Sequence, residues 1–452
     1  MARSDNDVVN VASREAFGGN LVNQGRGYYV TLELLALVWG TSQQRAMDEI
    51  LPSPKDQEVL RIERRSHDFI RRWMRGDSQY LTSSDLEKVE GRDSHEILRS
   101  LLDSLEVPVP NRRSRGKNWG SQHVYPYVGE LVHYDAVHRD NRKIPAVYEQ
   151  YTYRGGGGLA HFILRSDDDQ ERIEANRLGL SDLVSDSGGA LGQLVSACSE
   201  HDLARRDLTE ETRECLNEVR DTRWVSNLRS GVRNICSRQS MSRAKRIELL
   251  MHFVPYCMAR HQLDCACSVL NLEPFDIPPS LVDRPSPVRQ LARKKHDSAR
   301  GLIGDALTAV LEEHCETLDP SEAESILAKR SKPDLWGGPL GFFSATLATS
   351  GALNAHSGKR HFTLKLPLIE ALVAASLKPG QEIELDIFFK EILFNQFGLI
   401  VDGQSAQRVD LIEVIDQGEF AANKEQLVRD LRGLGMLKEY SDATQIVAAE
   451  IS

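Results

Sequence analysis

Hydrophobic residues recur at helical spacing along most of this chain. Apolar positions at i, i+3, i+4 and i+7 mark one buried helix face, and this spacing occurs repeatedly. The sets that predict helices are Val59, Ile62, Phe69, Ile70 and Trp73; Trp224, Leu228, Val232 and Ile235; Ile247, Leu250, Met251 and Val254; Leu368, Ile369, Leu372 and Val373; Leu385, Phe388, Phe389, Ile392 and Leu393; and Phe420, Leu427, Val428, Leu431 and Leu434. A long helix is also predicted from about Val288 to Glu316. The fold class is therefore mainly α.

Extended structure is predicted near the middle of the chain. Val147 to Tyr153 is rich in tyrosine, which favours strands, and Leu159 to Leu164 follows it after the glycines Gly155 to Gly158. These two segments predict a β-hairpin. The glycine amides are also able to cradle a phosphate, but they lack the Gly-Lys-Ser/Thr ending of a P-loop.

The N-terminal pattern is less decisive. Residues 1–27 are polar and rich in glycine and asparagine, which predicts irregular structure. The apolar run from Tyr28 to Trp39 fits either a helix or a strand, and Glu33 interrupts it. The run is too short to span a membrane.

The last part of the chain adds two short strands to its three helices. Met436 to Tyr440 and Gln445 to Ala449 flank a turn at Ser441 and Asp442. Helix, helix, helix and hairpin, over about residues 365–452, resembles a winged helix. That resemblance implies a module that binds DNA or docks a protein. From Phe362 to Ser452 the net charge is −7, which repels phosphates, so we expect protein docking.

A chain of 452 residues is too long for one core, and two or three domains are expected. Prolines crowd the segment from Pro274 to Pro287, which predicts a boundary. The predicted regions are an N-terminal helical region (1–107), a central region (108–272) with the hairpin (147–164), a helical connector (273–360) and the winged-helix-like domain (361–452). A fragment from Ser357 onward is expected to fold alone.

Positive charge is concentrated locally although the whole chain carries −10. Between Arg220 and Arg246, eight basic residues face one acid, Asp221. An arginine guanidinium forms two hydrogen bonds to one phosphate. Contact with DNA or RNA and an ordinary solvated face are therefore about equally supported interpretations of this cluster. On the helix through Trp224, the side chains of Arg223 and Arg233 are expected to lie free, with Arg229 at the border. The residues predicted to bind nucleic acid are Arg223, Arg229, Arg233, Arg243, Lys245, Arg246, Arg112, Arg113, Arg115, Lys117, Arg293, Lys294 and Lys295.

Catalytic signatures are weak. Cys257, His261 and Cys265 share a helix face, but structural zinc sites usually draw ligands from two segments, so we expect no metal and no cofactor. A metal-dependent nuclease would use Glu149 and the acidic triplet Asp167 to Asp169. That triplet is also typical of a helix N-terminus.

The sequence thus predicts a non-enzymatic component of a nucleic-acid-associated complex, with other protein subunits as partners and no membrane contact. Bacterial genome maintenance or phage defence fits this role. Seven scattered cysteines and the absence of a signal peptide indicate the cytoplasm. A nuclease and a pure protein scaffold are the alternatives.

Overall fold

The computed structural model describes most of the second half of the chain and parts of the first. The helix predicted around residues 55–74 and the strand predicted from Val147 to Tyr153 lie outside the described residues, so both stay predictions. Elsewhere the protein is mainly helical with small antiparallel sheets. The described residues are 5–21, 27–44, 122–123, 126–127, 135–136, 156–184, 219–330, 334–441 and 444–450.

One long helix, Arg243–Val269, lies at the centre of the fold. It is buried along almost its whole length, because other helices pack around it. Ser242 caps its first turn by accepting a hydrogen bond from the amide of Lys245 at 3.2 Å.

The elements in chain order are α1 (Asp5–Phe17), α2 (Tyr28–Gln44), β1 (Gln122–His123), β2 (Asp135–Ala136), α3 (Gly156–Arg165), α4 (Gln170–Val184), α5 (Arg223–Cys236), α6 (Arg243–Val269), α7 (Pro287–Glu316), α8 (Pro320–Arg330), α9 (Gly337–Ser350), α10 (Leu366–Ser376), β3 (Glu382–Glu384), α11 (Leu385–Ile387), a π-helix (Phe388–Gln396), α12 (Gly403–Arg408), a 3-10 turn (Leu411–Glu413), α13 (Gln417–Gly433), β4 (Leu437–Ser441) and β5 (Thr444–Ala448).

The helices predicted around Trp224, Ile247, Val288 and Leu368 are confirmed as α5, α6, α7 and α10. Helix α6 contacts α1, α2, α5, α7, α9 and α10. Apolar spacing was sufficient here because these helices bury one continuous stripe or, in α6, nearly every face.

The N-terminal segment departs from its predicted irregular structure. Residues of α1 form a helix in which Val8, Ala12 and Ala16 are buried. These residues are four apart and therefore lie on one face, but the polar residues between them concealed the period. The run from Tyr28 is also helical and forms α2.

The strand predicted from Leu159 to Leu164 is wrong, because these residues belong to α3. Helix α3 is buried on nearly all sides, and a short apolar run such as Leu159 to Leu164 does not by itself distinguish a buried helix from a strand. A Cβ atom on Gly157 would lie 2.4 Å from the backbone oxygen of Val30. The glycines therefore allow α3 to press against α2, and they do not form a hairpin turn.

The C-terminal elements follow the predicted order with two differences. The hairpin of β4 and β5 is confirmed. Strand β3 was not predicted; it pairs antiparallel with β5, with Ile383 opposite Val447, and gives the strand order β3-β5-β4. The second helix is mostly a π-helix, in which the amide of Phe397 donates to the carbonyl of Ile392 at 3.0 Å.

These C-terminal elements share one hydrophobic core with the central helices. Leu368 and Leu372 of α10 belong to the same buried cluster as Leu228 of α5 and Leu250 of α6. The proline-rich segment before α7 is also fastened to the C-terminal part, because the amide of Ser280 donates to the carbonyl of Phe362 at 2.9 Å. The division into domains stays a prediction.

Candidate anion-binding surface

The arginines of α5 are mostly turned into the protein. Arg223 donates from Nε to the carboxylate of Asp264 at 2.9 Å, and that carboxylate is almost fully buried. Arg229 donates from Nε to the carbonyl oxygen of Ile163 at 3.1 Å. The expectation that Arg223 is free is therefore wrong, because Asp264 of α6 lies opposite it. Arg233 is half-buried, and its side chain has no hydrogen bond or ion pair with a described residue.

The basic residues at the start of α6 also have protein partners. Arg246 donates to the carbonyl oxygen of Cys236 at 2.7 Å, and Lys245 lies 2.7 Å from the carboxylate of Glu370. Arg243 lies 3.8 Å from the carboxylate of Asp182. These contacts join α6 to neighbouring elements, so most of this positive charge is paired within the protein. The predicted residues Arg112, Arg113, Arg115 and Lys117 lie outside the described residues.

The three side chains considered for zinc lie together but are buried in the core. The sulfur of Cys265 lies 3.4 Å from Nε2 of His261, and Cys257 is buried one turn earlier. Burial lowers the pKa of His261 to about 4 and raises those of both thiols. Zinc binds the thiolate form, which this environment disfavours. In the described part of the chain, no group of three or more His, Cys, Asp or Glu could hold a metal ion.

The acidic triplet serves a helix N-terminus. Asp169 accepts a hydrogen bond from the backbone amide of Arg172 at 3.1 Å in the first turn of α4. Asp167 forms an ion pair with the guanidinium of Arg172 at 3.0 Å. This is the role that carboxylates favour at the positive end of a helix. Glu149, the other proposed nuclease residue, lies outside the described residues.

A Ser-His-Asp arrangement occurs between α7 and α9. Oγ of Ser344 lies 3.5 Å from Nε2 of His296, and Nδ1 of His296 lies 3.2 Å from Asp297. Ser344 and His296 are each only 2% exposed. A nucleophile must reach a substrate carbonyl, so this buried pair joins the two helices and is not a hydrolase site.

The second predicted basic cluster, on α7, is more exposed. Arg293 and Lys294 are exposed and have no hydrogen bond or ion pair with a described residue. Residues three and four apart lie on one side of a helix, so Arg289, Arg293 and Arg300 line a single side of α7. Lys295 lies elsewhere, with its ammonium 4.9 Å from the ring centre of Phe275. Arg289 lies in the first turn of α7, where a cation opposes the macrodipole.

A loop that the sequence indicates only as polar, around Ser357 to Arg360, extends the basic side of α7. Residues 354–361 form a tight reversal in which the amide of His361 donates to the side chain of Asn354 at 2.8 Å. Gly358 has a φ of 82°, a conformation that glycine adopts readily. The loop carries Arg360 and His361 to α7. The signal in the sequence was a short stretch with four basic or histidine residues and no acid; its members are His356, Lys359, Arg360 and His361.

The pKa values of Arg360, His361 and His356 are lowered partly by neighbouring positive charges on α7 and on the loop. Burial, followed by the neighbouring guanidinium of Arg300, lowers the pKa of Arg360. Burial and Arg289 lower the pKa of His361 to about 4. Burial, Lys365 and Arg360 lower the pKa of His356. Nearby positive charges lower a cation's pKa because they disfavour its charged form. We refer to Arg289, Arg293, Arg300, Arg360 and His361 as the α7–loop surface.

Several guanidinium groups of the α7–loop surface lack a partner. Arg300 and Arg360 are half-buried, and neither forms a hydrogen bond or ion pair with a described residue. The Nε atoms of Arg289 and Arg300 are buried without a hydrogen-bond partner. Arg289 donates from Nη2 to the carbonyl of Val282 and to Asp283, so its guanidinium is partly paired. The Nε atoms of Arg246 and Arg260 in the core are also without a partner, so the feature specific to this surface is that the side chains of Arg293, Arg300 and Arg360 have no partner among the described residues.

A groove of about 580 Å³ lies on the C-terminal part of the protein. It runs between α13 and the end of β3, and its lining includes acidic and basic side chains. Lys424 pairs with Asp386 across it at 2.8 Å, and Arg432 pairs with Glu439. Glu384, Glu425 and Arg429 also line it. Such a mixed lining offers hydrogen-bond donors and acceptors to a polar segment of another protein.

Comparisons with protein-family models, curated proteins and solved structures found no significant match to this chain. None of the helices in the described ranges combines the length and the apolar character needed to cross a membrane.

Proposed function

We propose that the protein is a non-enzymatic component of a nucleic-acid-associated complex and contacts the phosphates of DNA or RNA through the α7–loop surface. The observation that carries this proposal is the contrast between two sets of arginines. Most of those on α5 and α6, such as Arg223 and Arg246, are paired within the fold, with Arg233 as the exception. The side chains of Arg293, Arg300 and Arg360 have no such partner among the described residues. Unpaired guanidinium groups on one surface suit the repeated phosphates of a nucleic-acid backbone.

We further propose that the C-terminal part docks a protein partner in the groove beside α13. Three observations support this role. The chain order of helix, strand, helices and hairpin, with β3 added to β5, favours the winged-helix resemblance. The net charge of −7 from Phe362 to Ser452 disfavours phosphate contact. The groove supplies both signs of charge for a polar partner segment.

The test is a salt titration of binding to duplex DNA and to RNA. The logarithm of affinity should fall with the logarithm of salt concentration at a slope of about 0.9 per phosphate contacted on duplex DNA. Arg293→Ala with Lys294→Ala should weaken binding to all sequences alike and lower the slope by about one for each phosphate that is no longer neutralised. The matched control is Lys378→Ala with Lys390→Ala, which removes two exposed charges from elsewhere.

Equal slopes in the wild type and the Arg293, Lys294 variant would exclude these two residues from the interface. Absence of binding to either nucleic acid at low salt, about 50 mM, would refute the proposed function and leave a protein scaffold. Metal-dependent cleavage of the substrate would instead favour the nuclease.

Co-purification from the native host, with and without nuclease treatment, tests the protein partner. A partner that resists nuclease and is lost in Glu425→Lys, Arg429→Glu protein would support docking at the groove. A partner retained by that variant would place docking elsewhere.

A further inference from the structure

Three charged side chains that line the groove beside α13 have no hydrogen bond or ion pair with a described residue. Glu384 ends β3, whereas Glu425 and Arg429 lie on α13, and all three are exposed. Glu425 and Arg429 are four residues apart and are therefore neighbours on one helix face, yet they are not paired. Arg432, the next basic residue of the lining, pairs with Glu439. The unpaired charges are thus two carboxylates and one guanidinium, so negative charge is in excess.

The two unpaired carboxylates belong to opposite walls of the groove. Lys424 of α13 lies 2.8 Å from the carboxylate of Asp386, which follows β3. This ion pair joins the two walls directly. Glu425 is the next residue after Lys424, and Glu384 is two residues before Asp386, so the backbone at each carboxylate is held close to the ion pair.

The groove also offers apolar contacts. Leu385, Ala421 and Val428 contribute to its lining; Leu385 is part of the main hydrophobic core, and Val428 packs against that core. A lysine or arginine side chain has an apolar stem and a charged end, so it suits a lining that combines apolar atoms with carboxylates. An acidic side chain or a nucleic-acid phosphate would be repelled by the two unpaired carboxylates.

We propose that the groove binds a segment of the protein partner through one arginine or lysine side chain, whose charged end lies between Glu384 and Glu425. This inference rests on the proposed docking of a partner at the groove and adds the chemistry that is recognised there. Arg429, one turn further along α13, would donate to carbonyl oxygens of the same segment. The volume of the groove, about 580 Å³, lies in the range of about 300–1,000 Å³ that is typical of binding pockets.

The probe is a library of random peptides displayed on phage and selected on the full-length protein. Peptides retained by the wild type are compared with those retained by Glu384→Gln, Glu425→Gln protein, in which neutral amides of similar shape replace both carboxylates. We expect the peptides that depend on these carboxylates to share an arginine or lysine. Selected peptides without a common basic residue would overturn the proposal.

A synthetic peptide from this selection is then titrated by fluorescence anisotropy. We expect at least about tenfold weaker binding to the Glu384→Gln, Glu425→Gln variant, because hydrogen bonds to charged groups are lost. Replacing the basic residue of the peptide by glutamine should weaken binding to the wild type by a similar factor, and the two changes together should cost no more than either alone. Additive losses would mean that the basic residue binds elsewhere and would overturn the proposal.

A matched control is needed because basic peptides are attracted to the whole surface of a protein that carries −10. Glu273→Gln with Glu413→Gln removes two exposed acids that do not line the groove, and we expect this protein to bind the peptide like the wild type. An equal loss in the control would assign the binding to net charge and overturn the proposal. The thermal midpoint of the Glu384→Gln, Glu425→Gln variant should match that of the wild type, since surface substitutions have small effects. A large fall would give the carboxylates a structural role instead.

The failure of this inference and the failure of partner docking are distinguishable. A co-purified partner that is lost in Glu425→Lys, Arg429→Glu protein, together with selected peptides that lack a common basic residue, would keep the docking and refute the basic side chain. A partner retained by that variant, together with peptides that lose affinity in the Glu384→Gln, Glu425→Gln variant, would keep the basic site and refute docking of that partner at the groove. Failure of both tests would refute both.

Discussion

The buried carboxylate of Glu33 accepts a hydrogen bond from the backbone amide of Gly157 at 2.9 Å. Glu33 is 3% exposed and lies on α2, whereas Gly157 opens α3. A carboxylate is stabilised at the positive end of a helix, and the amides at that end need acceptors. The glycine run that suggested a phosphate cradle therefore binds a carboxyl group of the protein itself.

Replacing Gly157 by alanine should destabilise the protein strongly. The new Cβ would lie 2.4 Å from both the Val30 oxygen and the Glu33 Cβ, so α2 and α3 must separate and their buried packing weakens. We expect a loss of about 3 kcal/mol or more, which is typical of severe overpacking, measured by urea unfolding. Gly301→Ala is the control: no atom lies within 4 Å of the position that its Cβ would take, so α7 should gain about 0.5–1 kcal/mol. Equal effects would contradict the close packing of α2 and α3.

Arg229 and Arg233 should respond differently to alanine substitution although both lie on α5. Arg229 donates to the Ile163 carbonyl oxygen and lies 3.7 Å from Asp167, whose carboxylate is almost fully buried. Its removal takes a hydrogen bond from the Ile163 carbonyl oxygen and leaves Asp167 with Arg172 as its ion-pair partner, at a cost of about 1–3 kcal/mol. Arg233→Ala should change the stability by no more than about 0.5 kcal/mol. Thermal unfolding of the two single variants measures this, and a small effect of Arg229→Ala would mean that its contacts contribute little.

Stability should fall as the pH is lowered below neutrality. Burial, with a smaller effect of Arg165, lowers the pKa of His161 to about 3, while the unfolded chain protonates at about 6.5. Between these values the unfolded state binds the extra proton, so the free energy of unfolding falls by about 1.4 kcal/mol per pH unit for this residue. Urea unfolding from pH 7 to pH 4 should show a shallower fall in His161→Gln protein. An unchanged slope would mean that His161 titrates alike in both states.

Phosphate binding to the α7–loop surface should strengthen as the pH falls. The pKa of His361 is held at about 4 by burial and by Arg289, and the other charged or titratable groups that face it are Asp283 and His296. A bound phosphate favours the protonated imidazole and raises this pKa. Affinity should thus increase as the pH falls from about 7 towards 5, with proton uptake measurable by calorimetry in buffers of different ionisation heat. His361→Asn should reduce this uptake; an unchanged value would exclude His361 from the linkage.

The fragment from Ser357 onward is now expected not to fold alone. Helix α10 is buried against α5 and α6, and Asn234 of α5 donates to the carbonyl oxygen of Ala375 at 2.7 Å. Removing these partners exposes an apolar helix. Circular dichroism during heating and dye binding to exposed apolar surface are the measurements. A cooperative transition without dye binding would restore the independent domain expected from the sequence.

Apolar spacing predicted the amphipathic elements and failed where burial was nearly complete. The set Trp224, Leu228, Val232 and Ile235 faces the core of α5 as expected. Helix α3 is almost entirely buried, and its apolar run is too short to distinguish a helix from a strand. The capping residue Glu33 is distant in sequence, and only the packing of α2 on α3 brings it to Gly157.

Charge counts predicted where basic residues are, but not which of them remain free. Arg223 pairs with Asp264, which follows it 41 positions later in the chain, a partner that neither local composition nor helix periodicity reveals. The reverse holds for Arg360, whose sequence neighbourhood indicates only a polar loop. Its importance arises only when the loop reaches α7 beside Arg300.

The strand order β3-β5-β4 has a consequence for synthesis of the chain. Strand β3 is made before α13 and β4, yet its hydrogen-bonding partner is β5, which follows both. During translation the backbone groups of β3 therefore stay unpaired until β5 has been synthesised. The three-stranded sheet forms only then. An unpaired strand is a template for wrong pairing between chains. The acidic residues Glu382 and Glu384, which flank Ile383 on this strand, give neighbouring nascent chains the same charge and so keep them apart.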